Sequence, residues 1–427
     1  MEPSRKSFSL FLVIWSGQLL SKIGSGISAF ALGVHLLQTT GATSAYSFLL
    51  MAAFLPSVLL APVGGVIADR KDRRLMMATG DLGSSLGIGF VLGMLMLTPD
   101  ACWPIYLGAA VSSLFAALQS PAFKASITDI LDEKAYAKAS GFVQLAEASQ
   151  YLLGPILAAF LLSRFSLSAV LVVDMATFAL AALSVLVIRE RIVRQGGGKK
   201  PVDFWKDFTD GIRYIADNQR VLHLLHITTA ITFLVGILQS VFVPMVLSVS
   251  DSGTLGAVQS ISASGMLIGS FLIGMSSTTG EQGRVLSFSL VAAGFFYILI
   301  GASPNAVVIT CAAFCFFFTL PFVNATLEVS FRQSIEDDMQ GRAWSLISLI
   351  TQTGMVMAFG IAGLLADHLV NPLLTDAGRF SNSLGRLIGT GSSRGSGLMV
   401  MVCGLLLLLY ALVSVSRGRR PQATSLG

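Results

Sequence analysis

Gly65-Val-Ile-Ala-Asp69-Arg70-Lys71-Asp72-Arg73-Arg74 is a knot of charge set between two apolar runs. Residues 42–67 before it carry no charged side chain, and residues 75–97 after it carry one, Asp81. Four cations in a short turn cannot lie in hydrocarbon, where each ionisable group costs several kcal/mol. The stretch therefore reads as a short loop joining two membrane-spanning helices.

The rest of the chain agrees. Of its 427 residues 54% are hydrophobic and 12% charged, against about 25% charged in a soluble domain. Mean hydropathy is +0.76. A span needs about 20 apolar residues, and the 42 glycines suit close helix packing in lipid. Ten-residue alternating patterns, the mark of a membrane barrel, are lacking, so the class is an all-α membrane protein. Arg5 and Lys6 precede an apolar run too long for a signal peptide and without a small-residue cleavage site, which reads as a first permanent helix.

Charges, Pro and Gly divide the chain into twelve transmembrane helices, at about 8–37, 43–67, 75–98, 103–124, 139–163, 166–188, 221–248, 254–278, 284–302, 306–331, 343–369 and 397–415. The N-terminus, the loops after even-numbered helices and the C-terminus hold 23 of the 28 Lys and Arg. Both termini are thus expected in the cytoplasm, in a multi-pass protein of the cell membrane. The same distribution explains the net charge of +5 without nucleic acid as a partner. Cys102, Cys311, Cys315 and Cys403 read as packing residues, and His223 with His226 as interfacial histidines, so no metal site is expected.

The longest polar segment separates two six-helix halves, 1–190 and 221–427, with 191–220 as a cytoplasmic linker. Within it Phe204, Phe208, Ile212 and Ile215 recur at helical spacing and predict an amphipathic surface helix. The halves read as repeats: Pro121 and Pro321 each sit in a helix that leads to an acidic loop and then a basic residue opening the next helix. Two such halves are a transporter architecture, with a site near the membrane midplane.

The opening stretch resembles the Gly-x-x-x-Asp-Arg-x-Gly-Arg-Arg/Lys signature of the major facilitator superfamily. Gly65, Asp69, Arg70, Arg73 and Arg74 match it, and Asp72 stands where the second Gly is usual. Ile14-Trp-Ser-Gly-Gln18, Ser21 and Gly24, the Gly154-Pro155 pair and the stretch around Gly389 to Gly397 are similar to bacterial drug exporters of the macrolide-efflux type. The Gly-Pro pair is similar to the antiporter motif of export members; the Arg-x-x-Gln-Gly element of many proton-coupled exporters is missing around Gln119. The resemblance implies a conformational latch built on Gly65, Asp69, Arg70, Arg73 and Arg74, with Asp69 capping the helix that begins near Arg342.

Three embedded charged residues are candidates for proton coupling. Lys22 shares a face of helix 1 with Gln18 and Ser25, and either faces a cavity or snorkels to an interface. Glu147 either pairs with Lys22, carries a proton, or bonds structurally between helices. Asp81 is a third candidate, with a structural role as its alternative, and Asp174 reads as structural. Substrate-cavity candidates are Gln18, Ser25, Phe115, Gln119, Tyr151, Thr232, Gln239, Phe317 and Asn324, a ring-rich set suited to bulky hydrophobic ligands. A phosphate-cradling Gly-x-x-x-x-Gly-Lys-Ser/Thr loop is lacking. The expectation is a monomeric secondary transporter, not an enzyme and without cofactor, that exports hydrophobic or amphiphilic small molecules in exchange for protons among membrane lipids. A lysophospholipid or siderophore transporter of the same fold is the alternative.

Overall fold

The computed structural model describes residues 4–70, 72–188, 204–275, 282–336, 339–374 and 394–418. Its elements are helical, and twelve spans among the described residues are long and apolar enough to cross a membrane. Contacts divide the chain into two units, Met1–Phe204 and Trp205–Gly427.

The first unit contains α1 (Ser4–Thr40), α2 (Thr43–Arg70), α3 (Arg73–Leu97), α4 (Trp103–Ile130), α5 (Glu133–Leu152), α6 (Gly154–Arg164) and α7 (Leu167–Ile188). One extended apolar core joins α1 to α3, α4, α5 and α7 through Phe11, Ile14, Met77, Phe123, Val143 and Val185. The indole of Trp15 adds a directional tie, donating to the Phe142 carbonyl of α5 at 2.6 Å.

Three local features depart from the sequence expectation. Helix α4 runs through Pro121 to Ile130 rather than ending near residue 124. The span expected at 139–163 starts earlier, at Glu133, and is broken at Leu153 into α5 and α6. Pro155 at the second position of α6 explains the break, because its missing N–H leaves a carbonyl of the preceding turn unbonded. In the opening loop Asp72 is the N-cap of α3, its Oδ1 accepting from the Arg74 N–H at 3.0 Å. A capping carboxylate thus occupies the position where the family signature has glycine.

The second unit contains α8 (Phe204–Asp217), α9 (Gln219–Leu247), α10 (Ser252–Met275), α11 (Gln282–Ala302), α12 (Ala306–Ser334), α13 (Gln340–Leu365) and α14 (Gly395–Gly418), α13 continuing through short turns to Leu374. The predicted amphipathic helix is α8, and it spends its apolar face on protein. Phe208, Tyr214 and Ile215 pack with Leu225, Phe331, Ala343 and Leu346, whereas Ile212 stays exposed. Gly211 lets α8 close on Leu346, the Tyr214 hydroxyl accepts from the Glu336 N–H at 3.0 Å, and the Asn218 amide donates to the Ser334 carbonyl at 3.3 Å. At the other end, Asn371 accepts from the Ser396 N–H at 3.0 Å and joins the end of α13 to the start of α14. Arg394, expected in a polar loop, is buried there.

Candidate functional site

In the first unit, polar side chains from three helices converge in an apolar bundle. Gln18 on α1 donates from Nε2 to Oδ2 of Asp81 on α3 at 2.9 Å. Its Oε1 accepts from Nε2 of Gln119 on α4. All three residues are buried. The result is one hydrogen-bonded chain, Gln119 to Gln18 to Asp81, in which a single side chain bridges the other two. Gly80 makes it possible: a Cβ there would press on the Cβ and Cα of Gln119, so only glycine beside Asp81 lets α4 come this near.

Lys22 lies one turn along α1 from Gln18 and is half-buried. Its charge interacts with those of Glu147, Asp81 and Lys124. Glu147 on α5 makes its ion pair with Lys124 on α4, at 3.0 Å. Glu147 thus contacts Lys124 directly and acts on Lys22 through its charge. Lys124 lies within α4, which continues to Ile130, and reaches Glu147 on α5. The cluster holds two lysines and two carboxyl groups, so binding or losing one proton changes its net charge by one unit. Such a change is felt most at the buried Asp81, since the Lys124–Glu147 pair is partly exposed.

The Gly154–Pro155 pair meets α1 at Gly26, one turn along from Lys22. A Cβ on Gly154 would sit 2.8 Å from the Cα and the carbonyl carbon of Gly26, so α6 crosses α1 backbone to backbone. Phe115 sits against Gly83 of α3, where any side chain would collide with its ring, and so packs α3 on α4. Ser25 is half-buried and Tyr151 is exposed, one turn from Glu147. Asp174 is buried on α7 and accepts weakly from the Thr177 hydroxyl at 3.5 Å.

In the charged loop, Arg73 donates to the Ala125 carbonyl at 2.8 Å and pairs with Asp129 at 2.9 Å, tying the start of α3 to the end of α4. Arg74 contributes its N–H to the Asp72 cap. The side chains of Asp69 and Arg70 and the surroundings of Gly65 lie outside what the structure describes, as does the stretch around Gly389.

The remaining predicted residues belong to the second unit. Thr232 on α9 donates to the Thr351 carbonyl of α13 at 3.3 Å. Phe317 meets Phe316 edge to face with centroids 5.5 Å apart, and Gln239 is half-buried. Asn324 lines a cavity of about 350 Å³ between α9, α12 and α13.

Twelve spans with ionisable side chains gathered inside the bundle define a multi-pass membrane protein of the transporter class. The family model of the Major Facilitator Superfamily matches residues 14–360, and the chain belongs to that superfamily. It is 25% identical over 369 residues to macrolide efflux protein A of Streptococcus pyogenes, covering 84% of this chain and 90% of that protein. A protein of the same name from Enterococcus faecalis is 25% identical over 315 residues, covering 71% of this chain and 96% of its own. Among solved structures, the nucleoside transporter NupG superposes with a TM-score of 0.73 at 13% identity, over 95% of this chain and 99% of that one.

Proposed function

We propose that this transporter is a secondary exporter of hydrophobic and amphiphilic compounds, with macrolide-like drugs as its substrate class, and that it exchanges them for protons by alternating access. Similarity to macrolide efflux protein A over most of both chains supports the substrate class. The observation that carries the coupling is the buried Gln119–Gln18–Asp81 chain beside Lys22 and the Glu147–Lys124 pair. Buried ionisable groups in a membrane bundle mark ion pathways by default. Asp81 is the acid we assign to proton exchange, since its neighbours in the chain are neutral amides that can follow a change in its charge. Glu147 pairs with Lys124, and its charge together with that of Asp81 faces Lys22. The Gly65–Arg74 motif is the proposed latch between conformations, and both termini face the cytoplasm.

The test is macrolide accumulation in cells that express the protein, with and without a protonophore. The reading requires lowered accumulation that the protonophore restores. Accumulation that expression leaves unchanged across a broad drug panel refutes export, and export indifferent to the protonophore refutes proton coupling.

A further inference from the structure

The cavity in the second unit has a chemistry of its own. Its volume of about 350 Å³ lies within the range of small-molecule sites, roughly 300–1,000 Å³. On α12, Asn324, Glu328 and Arg332 follow one another at i, i+4 spacing along one face. Such a stripe inside a span faces water or a ligand rather than lipid.

Only part of the stripe looks into the cavity. Asn324 and Glu328 line it, and Arg332 does not. Arg332 reaches Glu328 from the next turn, and both of its bonds, at 2.7 Å and 3.3 Å, fall on Oε1. The two side chains are half exposed, at 61% and 52%, so the pair is weak, and neither of its bonds uses Oε2. The facing wall is aromatic: Trp344 stands edge-on to the buried Phe331, with centroids 5.5 Å apart. The hydroxyl of Thr351, also in the wall, is spent on the Ile347 carbonyl of its own helix. The amides of Asn324 and Gln352 make no hydrogen bond to protein among the described residues, and so remain open to a ligand.

A carboxylate, a tryptophan and neutral amides lining one cavity are the recognition set for an organic cation with an aromatic or apolar body. We propose that this cavity binds lipophilic cations such as quaternary ammonium or phosphonium compounds, with Glu328 as counter-ion and Trp344 as the stacking wall. That the cation is cargo rests on the exporter reading; that it binds does not.

The experiment is equilibrium binding of tetraphenylphosphonium to the purified full chain in lipid nanodiscs, with neutral triphenylphosphine oxide as the uncharged probe. Glu328→Gln is expected to weaken the phosphonium by about tenfold or more and to leave the neutral probe unchanged. Arg332→Gln, which removes the competing cation, is expected to tighten the phosphonium, and Trp344→Leu to weaken it. Equal phosphonium affinity in wild type and Glu328→Gln overturns the proposal, as does weaker phosphonium binding in Arg332→Gln. The two readings fail separately. Glu328-dependent binding in a protein that exports nothing upholds the site and overturns only the exporter reading.

Discussion

Replacing Gln18 by Met removes the bridge of the buried chain while nearly preserving volume. Two bonds go: the one to Asp81 at 2.9 Å and the one from Gln119. Interhelical hydrogen bonds in bilayers contribute about 0.6 kcal/mol on average and up to about 1.7, so the pair contributes about 1–3 kcal/mol. The upper part of that range applies, because the Asp81 carboxyl and the Gln119 amide are left buried without a partner. Gln18→Met should therefore cost about 2–3 kcal/mol, and Gln119→Met, which breaks one bond, about 1 kcal/mol. If the three residues act as one chain, the double variant counts their shared bond once, and falls short of the sum of the singles by about 1 kcal/mol. The assay is unfolding of the purified protein in mixed micelles, following helical circular dichroism as the fraction of denaturing detergent rises. Energies that add to within about 0.5 kcal/mol would refute the chain as a cooperative unit.

Four further outcomes follow from the geometry. Gly154→Ala places a Cβ 2.8 Å from the Gly26 backbone, where carbon contacts need about 3.5 Å or more; a loss of about 1–3 kcal/mol is expected in thermal unfolding. Gly93→Ala, with nothing near its Cβ, should show no loss. Asp69→Asn should abolish transport while surface labelling shows the protein still in the membrane, and normal export from that variant would remove the latch. Asp251 caps α10 by accepting from the Thr254 N–H at 2.7 Å, and this bond holds its carboxyl below the usual carboxylate range. The cap's contribution is then present above about pH 4, the unfolded value, and lost as pH falls through the lower folded value. The protection of the Thr254 amide, the intrinsic exchange rate at each pH divided by the observed one, should fall over that acid range in the wild type, and Asp251→Asn should flatten the dependence.

The spans were legible because the bilayer imposes a length and a charge rule that leave a plain mark in the chain. What interrupts a span was less so. Pro121 and Lys124 look like a helix end, yet α4 continues to Ile130; the prolyl ring weakens a helix locally, and packing on α2 and α3 outweighs it. The Lys124–Glu147 contact depends on that continuation. Conversely, Leu153-Gly154-Pro155 lies inside an unbroken apolar run, and the missing N–H of Pro155 divides the span there. Gln18, Asp81 and Gln119 each stood out as polar residues in apolar helices. Their joining did not, because Gln18 and Gln119 lie 101 positions apart and meet only through the α3–α4 approach that Gly80 allows. The periodicity of α8 was readable, whereas the surface that receives it, Phe331 and Leu346, belongs to helices far along the chain.

The most direct test of proton-coupled export through this cluster is macrolide movement in vesicles reconstituted with the purified protein, under an imposed pH gradient. The wild type is expected to move drug against its concentration gradient only while the pH gradient lasts, and Asp81→Asn, folded and inserted, to lose that response. Gradient-driven export of undiminished rate in Asp81→Asn would contradict the account.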